Sequence, residues 1–335
     1  MRAYVSARAG INVRTEPNIK GKIAKKMAYG SPIDVDAVRK GFWSRLLNTQ
    51  VPLYALGDNL TIYPIENFVS PISYSKLNLH ASAGGWAPDD RQLRTVQDNH
   101  INAVLICTYA PQAANQISLF RSVGVEQFII RAIAPSFPRD GAAWARMAVN
   151  RIQSFANELP PTFMLQLHNE PNLRDEGLYS GWNSGAEYSA WYLKALAVIK
   201  QAFPRCKVGF SPMSPGVAIP NRRIEEHNFV LACSAAIQAS DWIAVHCYYG
   251  NADASDLAIP VNYWRTFAYN KPIICTEAGP SIGKLTTTVG ASKMFADFAK
   301  VRIPAFGWIL HSAGSADFRL QSWSEMGIVL PRFGS

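Results

Sequence analysis

Two glutamates follow apolar segments at distant points of the chain. Glu170 comes just after the run 162–168, and Glu277 comes directly after the run 273–276. Short apolar runs of this kind are typical of buried strands, so each acid is expected where a strand passes into a loop. Cleavage of a glycosidic bond requires two facing carboxyl groups. One is protonated and helps the sugar oxygen leave, and the other is ionised and attacks the anomeric carbon or activates a water.

Size and composition indicate an ordinary globular protein. The chain has 335 residues, of which 48% are hydrophobic and 17% charged, which suits one large domain and one small domain. It has no apolar run long enough for a membrane span. The first eight residues lack the apolar core of a signal peptide. The location is therefore left open: we expect an extracellular or cell-wall site only if a leader has been removed or the protein is released by lysis.

The net charge of +9 favours anionic partners in general. Only the stretch 20–26 is locally basic and there is no dense Lys/Arg block, so no nucleic-acid partner is predicted. The cysteines are odd in number and form no Cys-x-x-Cys pair. They predict neither a disulfide framework nor a zinc site, and we expect no metal and no cofactor. They are Cys107, Cys206, Cys233, Cys247 and Cys275.

The first part of the chain has short β-prone runs separated by turn residues, which predicts a small β-barrel or sandwich. Its segments 12–18, 30–35 and 41–46, which begin Asn-Val-Arg-Thr, Gly-Ser-Pro and Gly-Phe-Trp, resemble the bacterial SH3-like domain. The usual closing strand of that family is not recognisable. The resemblance implies a domain over 1–66, followed by a linker over 67–75, that either holds an enzyme near cell wall or another insoluble polymer or only packs against its neighbour.

From residue 76 to residue 335, strand and helix patterns alternate. Eight strands alternating with helices predict an α/β protein with a (β/α)8 TIM barrel. A doubly wound open sheet is the alternative, but its Gly-rich phosphate-binding turn has only a weak match at 83–85. The predicted strands are 77–81, 103–108, 127–133, 163–168, 207–211, 242–247, 272–276 and 305–310. The predicted helices are 89–100, 113–123, 141–159, 185–203, 224–239, 261–269 and 292–301.

In such a barrel the reactive groups collect at the carboxyl ends of the strands. Glu170 closes the fourth predicted strand and Glu277 the seventh. His246 and Tyr248 close the sixth, and Trp308 lies in the eighth. Together with Asn169, this set resembles the clan A glycoside hydrolases, which are retaining (β/α)8-barrel enzymes.

The resemblance implies a role for each residue. Glu170 is the acid/base and Glu277 is the nucleophile. Asn169 offers amide donors to a sugar 2-hydroxyl. Other substrate-binding candidates are His80 and His246 for hydroxyls, Tyr248 as a hydrogen-bond partner of Glu277, Trp308 as a face for the sugar, and the loop aromatic Trp182.

One feature departs from the clan, which often has an arginine at the end of strand two to steady the nucleophile. Here that strand ends Cys107-Thr108-Tyr109. Arg131 in strand three is the nearby candidate, and its role is left open. Loop aromatics suit carbohydrate binding or loop packing equally; these are Trp86, Tyr179, Trp182 and Trp323.

The prediction is a retaining β-glycoside hydrolase that acts on a polysaccharide or oligosaccharide. A second interpretation keeps this chemistry but makes the protein a lytic glycosidase of the cell wall, targeted by the small domain. A third is a non-catalytic carbohydrate-binding protein on an inactivated barrel, in which the glutamates form structural ion pairs.

Overall fold

The structure is a computed structural model. It describes residues 2–5, 11–20, 22–27, 32–35, 43–47, 53–56, 60–61, 70, 72–74, 76–81, 87–108, 113–134, 136–160, 162–249, 264–268, 271–280, 288–308, 310, 323 and 327. The chain divides into two compact units. One comprises Met1–Val69 with Tyr269–Lys271, and the other comprises Ser70–Ala268 with Pro272–Ser335.

The smaller unit consists of short antiparallel strands. One sheet has the order β4-β1-β7 and the other β3-β2-β6-β5. Its core is a small apolar cluster around Val13, Val35 and Ala55, all fully buried. The strands are β1 (Arg2–Val5), β2 (Ile11–Arg14), β3 (Ile23–Met27), β4 (Pro32–Asp34), β5 (Trp43–Arg45), β6 (Tyr54–Leu56) and β7 (Leu60–Thr61).

The larger unit contains a closed barrel of eight parallel strands, in the order β8-β9-β10-β11-β12-β13-β14-β15 with β15 paired to β8. Closure confirms the predicted barrel and rules out the open sheet. All eight observed strands overlap the predicted ones. They are β8 (Asn78–His80), β9 (Ala103–Cys107), β10 (Gln127–Arg131), β11 (Met164–Gln166), β12 (Lys207–Phe210), β13 (Trp242–Tyr249), β14 (Ile273–Pro280) and β15 (Ala305–Gly307).

Helices cover the strands, so the strands are buried on both faces and have continuous apolar sequences; β9, for example, is buried at every position. The helices are α1 (Asp90–Asp98), α2 (Ala113–Ser122), α3 (Gly141–Gln153), α4 (Gly185–Ala202), α5 (Glu226–Leu231), α6 (Ser234–Ala239) and α7 (Thr288–Val301). None of the described helices is both long and apolar enough to cross a membrane.

Several helices begin directly after a residue whose side chain caps the first turn. Asp89 and Gln92 form a capping box at α1, Asp140 caps α3 and Ser184 caps α4. Such caps satisfy amide groups that have no partner inside the helix.

Two predicted helices are broken or end early in the structure. The single helix predicted over 224–239 is broken into α5 and α6 at Cys233, whose thiol donates to the carbonyls of Gly185 and Phe229. The helix predicted over 141–159 ends at Gln153 and is followed by a short 3-10 turn, Ala156–Glu158. Of the helix predicted over 261–269, residues 264–267 are helical and most others lie outside the described part.

Candidate active site

Glu170 and Glu277 face each other at the carboxyl end of the barrel. One carboxylate oxygen of each lies within 4.8 Å of the other. The Glu277 side chain is only 5% exposed, whereas that of Glu170 is 15% exposed. The pair therefore combines a buried carboxylate with one that solvent and a ligand can reach.

An irregularity in β14 brings Glu277 to this position. Val245 pairs with Cys275, but the next residue, His246, pairs with Glu277, so Thr276 is an extra residue in β14. The pairing of β14 with β15 shows the same shift. Strict alternation would turn Glu277 to the face opposite Ile274. The bulge instead puts Glu277 on the same face as its partner His246, and bulges commonly re-aim side chains in this way.

Glu170 lies four residues beyond β11, in a loop with fixed geometry. Its backbone φ is +23°, a region that non-glycine residues rarely adopt and that persists only where the surroundings hold it. Here the indole N–H of Trp182 donates to the Pro171 carbonyl at 2.7 Å. The Asn172 amide bonds both the N–H and the carbonyl of Ser214, at 2.8 and 2.9 Å. The Trp182 bond lies within the loop after β11, and the Asn172 bonds tie that loop to the loop after β12.

Arg131, whose role the sequence left open, is the partner of the buried carboxylate. Its Nη1 donates to Glu277 Oε1 at 2.5 Å, and its Nη2 lies 3.5 Å from Gln166 Oε1. Burial of Arg131 lowers the pKa of its guanidinium, but the neighbouring Glu277 outweighs this effect and raises that pKa above its ordinary value. Arg131 is therefore a permanent positive charge beside Glu277.

The pKa of Glu277 is the balance of opposing effects. Burial raises it, but the polar groups around the carboxylate lower it to about 2; these are His246, Arg131, His80 and Tyr248. The Tyr248 hydroxyl donates to Glu277 Oε2. Burial and the nearby carboxylates raise the pKa of Tyr248 well above its usual range, so Tyr248 keeps its proton and remains a donor. Glu277 is therefore ionised throughout the neutral range.

His246 lies between the two glutamates. Its Nδ1 is 2.8 Å from Glu170 Oε1, and its Nε2 is 3.4 Å from Arg131 Nη2 and 3.5 Å from Glu277 Oε1. Nδ1 therefore bonds Glu170, while Nε2 lies between a donor, Arg131, and an acceptor, Glu277.

His80 and Trp308 lie beneath this cluster. His80 is fully buried, with Nε2 3.9 Å from Glu277 Oε1 and 3.8 Å from Cys107 Sγ. Burial and Arg131 lower the pKa of His80 well below its usual value, which makes it neutral. Trp308 is 6% exposed and its ring meets His80 edge-on at 4.5 Å. Both residues support the cluster, and little of either is open to a ligand.

Trp182 lies in an aromatic core. It is 1% exposed and packs against His168, whose ring is also enclosed by Trp144 and Trp191. Burial lowers the pKa of His168 to about 3. Among the other loop aromatics, Trp323 is buried and Tyr179 is 45% exposed. Trp86 and Tyr109 lie outside the described residues.

Asn169 contacts a third carboxylate. Its Nδ2 donates to Glu176 Oε1 at 2.9 Å. Burial raises the pKa of Glu176 to about 7, against the bond from Asn169, and the charge of Glu170 adds to the rise. Sequence reasoning missed both Glu176 and Gln166. The signal for Gln166 was a long polar side chain inside an apolar strand; Glu176 lies in a polar loop and gave none.

Glu170, His246 and Glu277 could supply three ligand atoms to a metal ion, since these atoms lie within 4.8 Å of one another. However, the Arg131 guanidinium is already bound to Glu277 Oε1 and would repel a cation. This donor set fits a catalytic carboxyl pair better than a metal centre.

Comparison with models of known protein families gives no match, and comparison with curated protein sequences gives none. Solved structures with a similar fold include a GH128 (subgroup II) endo-β-1,3-glucanase from Sorangium cellulosum, at 18% identity over 75% of this chain and 94% of that chain, with a TM-score of 0.50. Another is a Cellulomonas fimi endo-β-1,4-mannanase double mutant, at 11% identity over 73% of this chain and 67% of that chain, with a TM-score of 0.52. These neighbours are glycoside hydrolases, and the likeness shows that this chain shares their fold.

Proposed function

We propose that this protein is a retaining β-glycoside hydrolase that cleaves a polysaccharide or oligosaccharide, with Glu277 as nucleophile and Glu170 as acid/base. The observation that carries the proposal is that one carboxylate oxygen of Glu170 lies within 4.8 Å of one carboxylate oxygen of Glu277. Retention requires carboxyl groups about 5–5.5 Å apart, whereas inversion requires roughly 6.5–9.5 Å to admit a water between them.

The different environments of Glu277 and Glu170 suit them to different catalytic roles. Glu277 is ionised and attacks the anomeric carbon while Glu170 gives its proton to the departing oxygen, so one C–O bond forms as the other breaks. In the second half, Glu170 takes a proton from water as that water attacks the same carbon. This restores the Glu277 carboxylate and the acid form of Glu170. Nδ1 of His246 holds one oxygen of Glu170 throughout.

Arg131 and Tyr248 control the charge of the nucleophile. Each bonds one oxygen of Glu277, which keeps the group ionised before attack and orients it as a leaving group afterwards. The fold neighbours are described as acting on a β-1,3-glucan and a β-1,4-mannan, so β-glucosides and β-mannosides are the first substrates to test here.

Variants at the two glutamates test the proposal on aryl β-glycosides with a good leaving group. Glu277→Gln should abolish turnover. Glu170→Ala should retain slow turnover that added azide accelerates, because azide attacks the intermediate without a base. Glu187→Gln, at an exposed glutamate of α4, is the matched control. A protein that binds sugars but neither turns them over nor becomes labelled by an activated fluoro-sugar would be a binding protein instead.

For the smaller unit we infer an SH3-like adhesive domain, supported by its short antiparallel strands in two sheets and by the Asn-Val-Arg-Thr motif. If its ligand is cell wall, the protein is a lytic glycosidase of that polymer. Residues 70–335 alone should then turn over a small aryl glycoside as the full chain does but should bind insoluble polymer less. Loss of small-substrate turnover in a folded fragment would contradict this division of labour.

A further inference from the structure

The Asn169 amide has one satisfied end and one unsatisfied end. Its nitrogen donates to Glu176 at 2.9 Å. Its oxygen, Oδ1, is buried and has no hydrogen-bond partner among the described residues. Burial of an acceptor without a donor is unfavourable, so this oxygen can gain a hydrogen bond from a donor that a bound ligand supplies.

Glu176 is held firmly enough to fix the amide. It ends a 3-10 turn, Arg174–Glu176, whose C-cap Gly177 has a φ of +110°. A Cβ on Gly177 would lie 2.6 Å from the Trp182 ring, so only glycine fits there. The Arg174 N–H donates to the Arg222 carbonyl at 2.8 Å. The turn therefore places the carboxylate, and Asn169 lies earlier in the same loop, after β11 and before the turn.

We propose that Glu176 is a positioning residue that holds the Asn169 amide nitrogen, so that Asn169 presents Oδ1 as an acceptor to the substrate hydroxyl beside the anomeric carbon. This rests on the proposed function. It reverses the polarity that the clan resemblance implied, in which Asn169 donates to that hydroxyl. The Glu176 Oε1 atom accepts from the Asn169 Nδ2 at 2.9 Å, and an amide nitrogen can only donate, so this bond fixes the amide in this orientation.

The contact selects substrates that carry a hydroxyl at the 2-position. A hydrogen bond to that hydroxyl strengthens in the transition state, so it raises kcat more than it lowers KM. The useful quantity is the ratio of kcat/KM for an aryl β-glycoside to that for its 2-deoxy analogue, compared between variants, because the intrinsic reactivity of the two sugars then cancels.

Glu176→Met keeps the side-chain volume but cannot accept, and should lower this ratio about tenfold, mainly through kcat, as expected for one lost hydrogen bond. Glu176→Gln can still accept through its amide oxygen and should keep the ratio within about threefold. Asp175→Asn, at the exposed neighbour in the same turn, should leave the ratio unchanged. Glu176→Ala replaces Glu176→Met if the latter does not fold.

Exchanging the amide and the carboxylate between positions 169 and 176 tests whether residue 169 accepts a hydrogen bond from the substrate. Asn169→Asp alone sets two carboxylates against each other and should lose the 2-hydroxyl preference. Adding Glu176→Gln supplies an amide donor to Asp and leaves one Asp oxygen facing the substrate, at unchanged net charge, so the preference should return. If the 2-hydroxyl preference did not return in the double variant, with both proteins folded, the acceptor role of Asn169 would be overturned.

The outcomes separate this inference from the proposed function. If the wild-type protein turns over no glycoside, both fail. If it turns over glycosides and the ratio is the same in wild type, Glu176→Met and Glu176→Ala, only the positioning role of Glu176 fails.

Discussion

Arg131 shows how a single residue can set the state of the site. Its two terminal nitrogens reach Glu277, Gln166 and His246, so it holds the charge of the nucleophile and also contacts the histidine that bonds Glu170. A lysine in its place keeps the charge but has no planar fork with which to make these contacts together.

Arg131→Lys should therefore lower kcat/KM by about a hundredfold and move the acid limb of its pH profile upward. The sign follows from the pKa of Glu277, which is about 2 against an ordinary 4.5. When the ion pair with residue 131 is weaker, burial raises the pKa of Glu277, so the nucleophile becomes protonated at a higher pH. The check is kcat/KM measured against pH, with the exposed Arg121→Lys as control. An unchanged acid limb would mean that Arg131 does not hold Glu277 ionised.

His168 makes a separate prediction about stability. The pKa of this histidine is lowered by burial from 6.5 to about 3. Below pH 6.5 the unfolded chain takes up a proton there and the folded chain does not. The free energy of unfolding is therefore undiminished above that value and falls as the pH decreases toward about 3, by up to about 1.4 kcal/mol per unit.

His168→Phe should remove this contribution. Urea unfolding at about pH 7 and about pH 5 should show a smaller loss in the variant than in wild type. His227→Phe, at an exposed histidine, should retain the wild-type loss. An equal loss in all three proteins would show that His168 is not the group that titrates.

At the level of elements, close packing between strands limits which residues the barrel accepts. A Cβ on Gly209 of β12 would lie 2.4 Å from the Trp242 ring of β13. Overpacking of this kind costs about 1–3 kcal/mol, so Gly209→Ala should lower the free energy of unfolding by that amount. Adding Trp242→Phe removes the ring atoms that clash. The double variant should be more stable than the sum of the single changes predicts in denaturant titrations, and strict additivity would contradict the assigned clash.

The strands and most helices could be predicted because their apolar runs and caps are local signals. The orientation of Glu277 could not, because the bulge at Thr276 depends on how β14 pairs with β13 and β15. If side chains simply alternated between the two faces of the strand along 273–277, the Glu277 carboxylate would lie on the face opposite to the observed one. The break between α5 and α6 was hidden for a similar reason, since Cys233 bonds a carbonyl of α4.

At the level of the whole molecule, the site exists only when the barrel closes. Arg131 and Glu277 are separated by 146 positions in sequence, and the cluster draws on side chains of β8, β9, β10, β11, β13 and β14. The sequence predicted which strands carry the two acids, because strand order in a (β/α)8 barrel follows chain order. The pairing of Asn169 with Glu176 is a contact between loop side chains that strand order does not specify.

The central claim is that Glu277 forms a covalent ester with the sugar, and the anomer released first tests it most directly. Proton NMR of the sugar formed from an aryl β-glycoside, recorded before mutarotation, should show the β-anomer. This result follows from two successive displacements between glutamates whose nearest carboxylate oxygens lie within 4.8 Å of each other. Release of the α-anomer would mean a single displacement by water, and would contradict the roles assigned to both glutamates even if each proved essential.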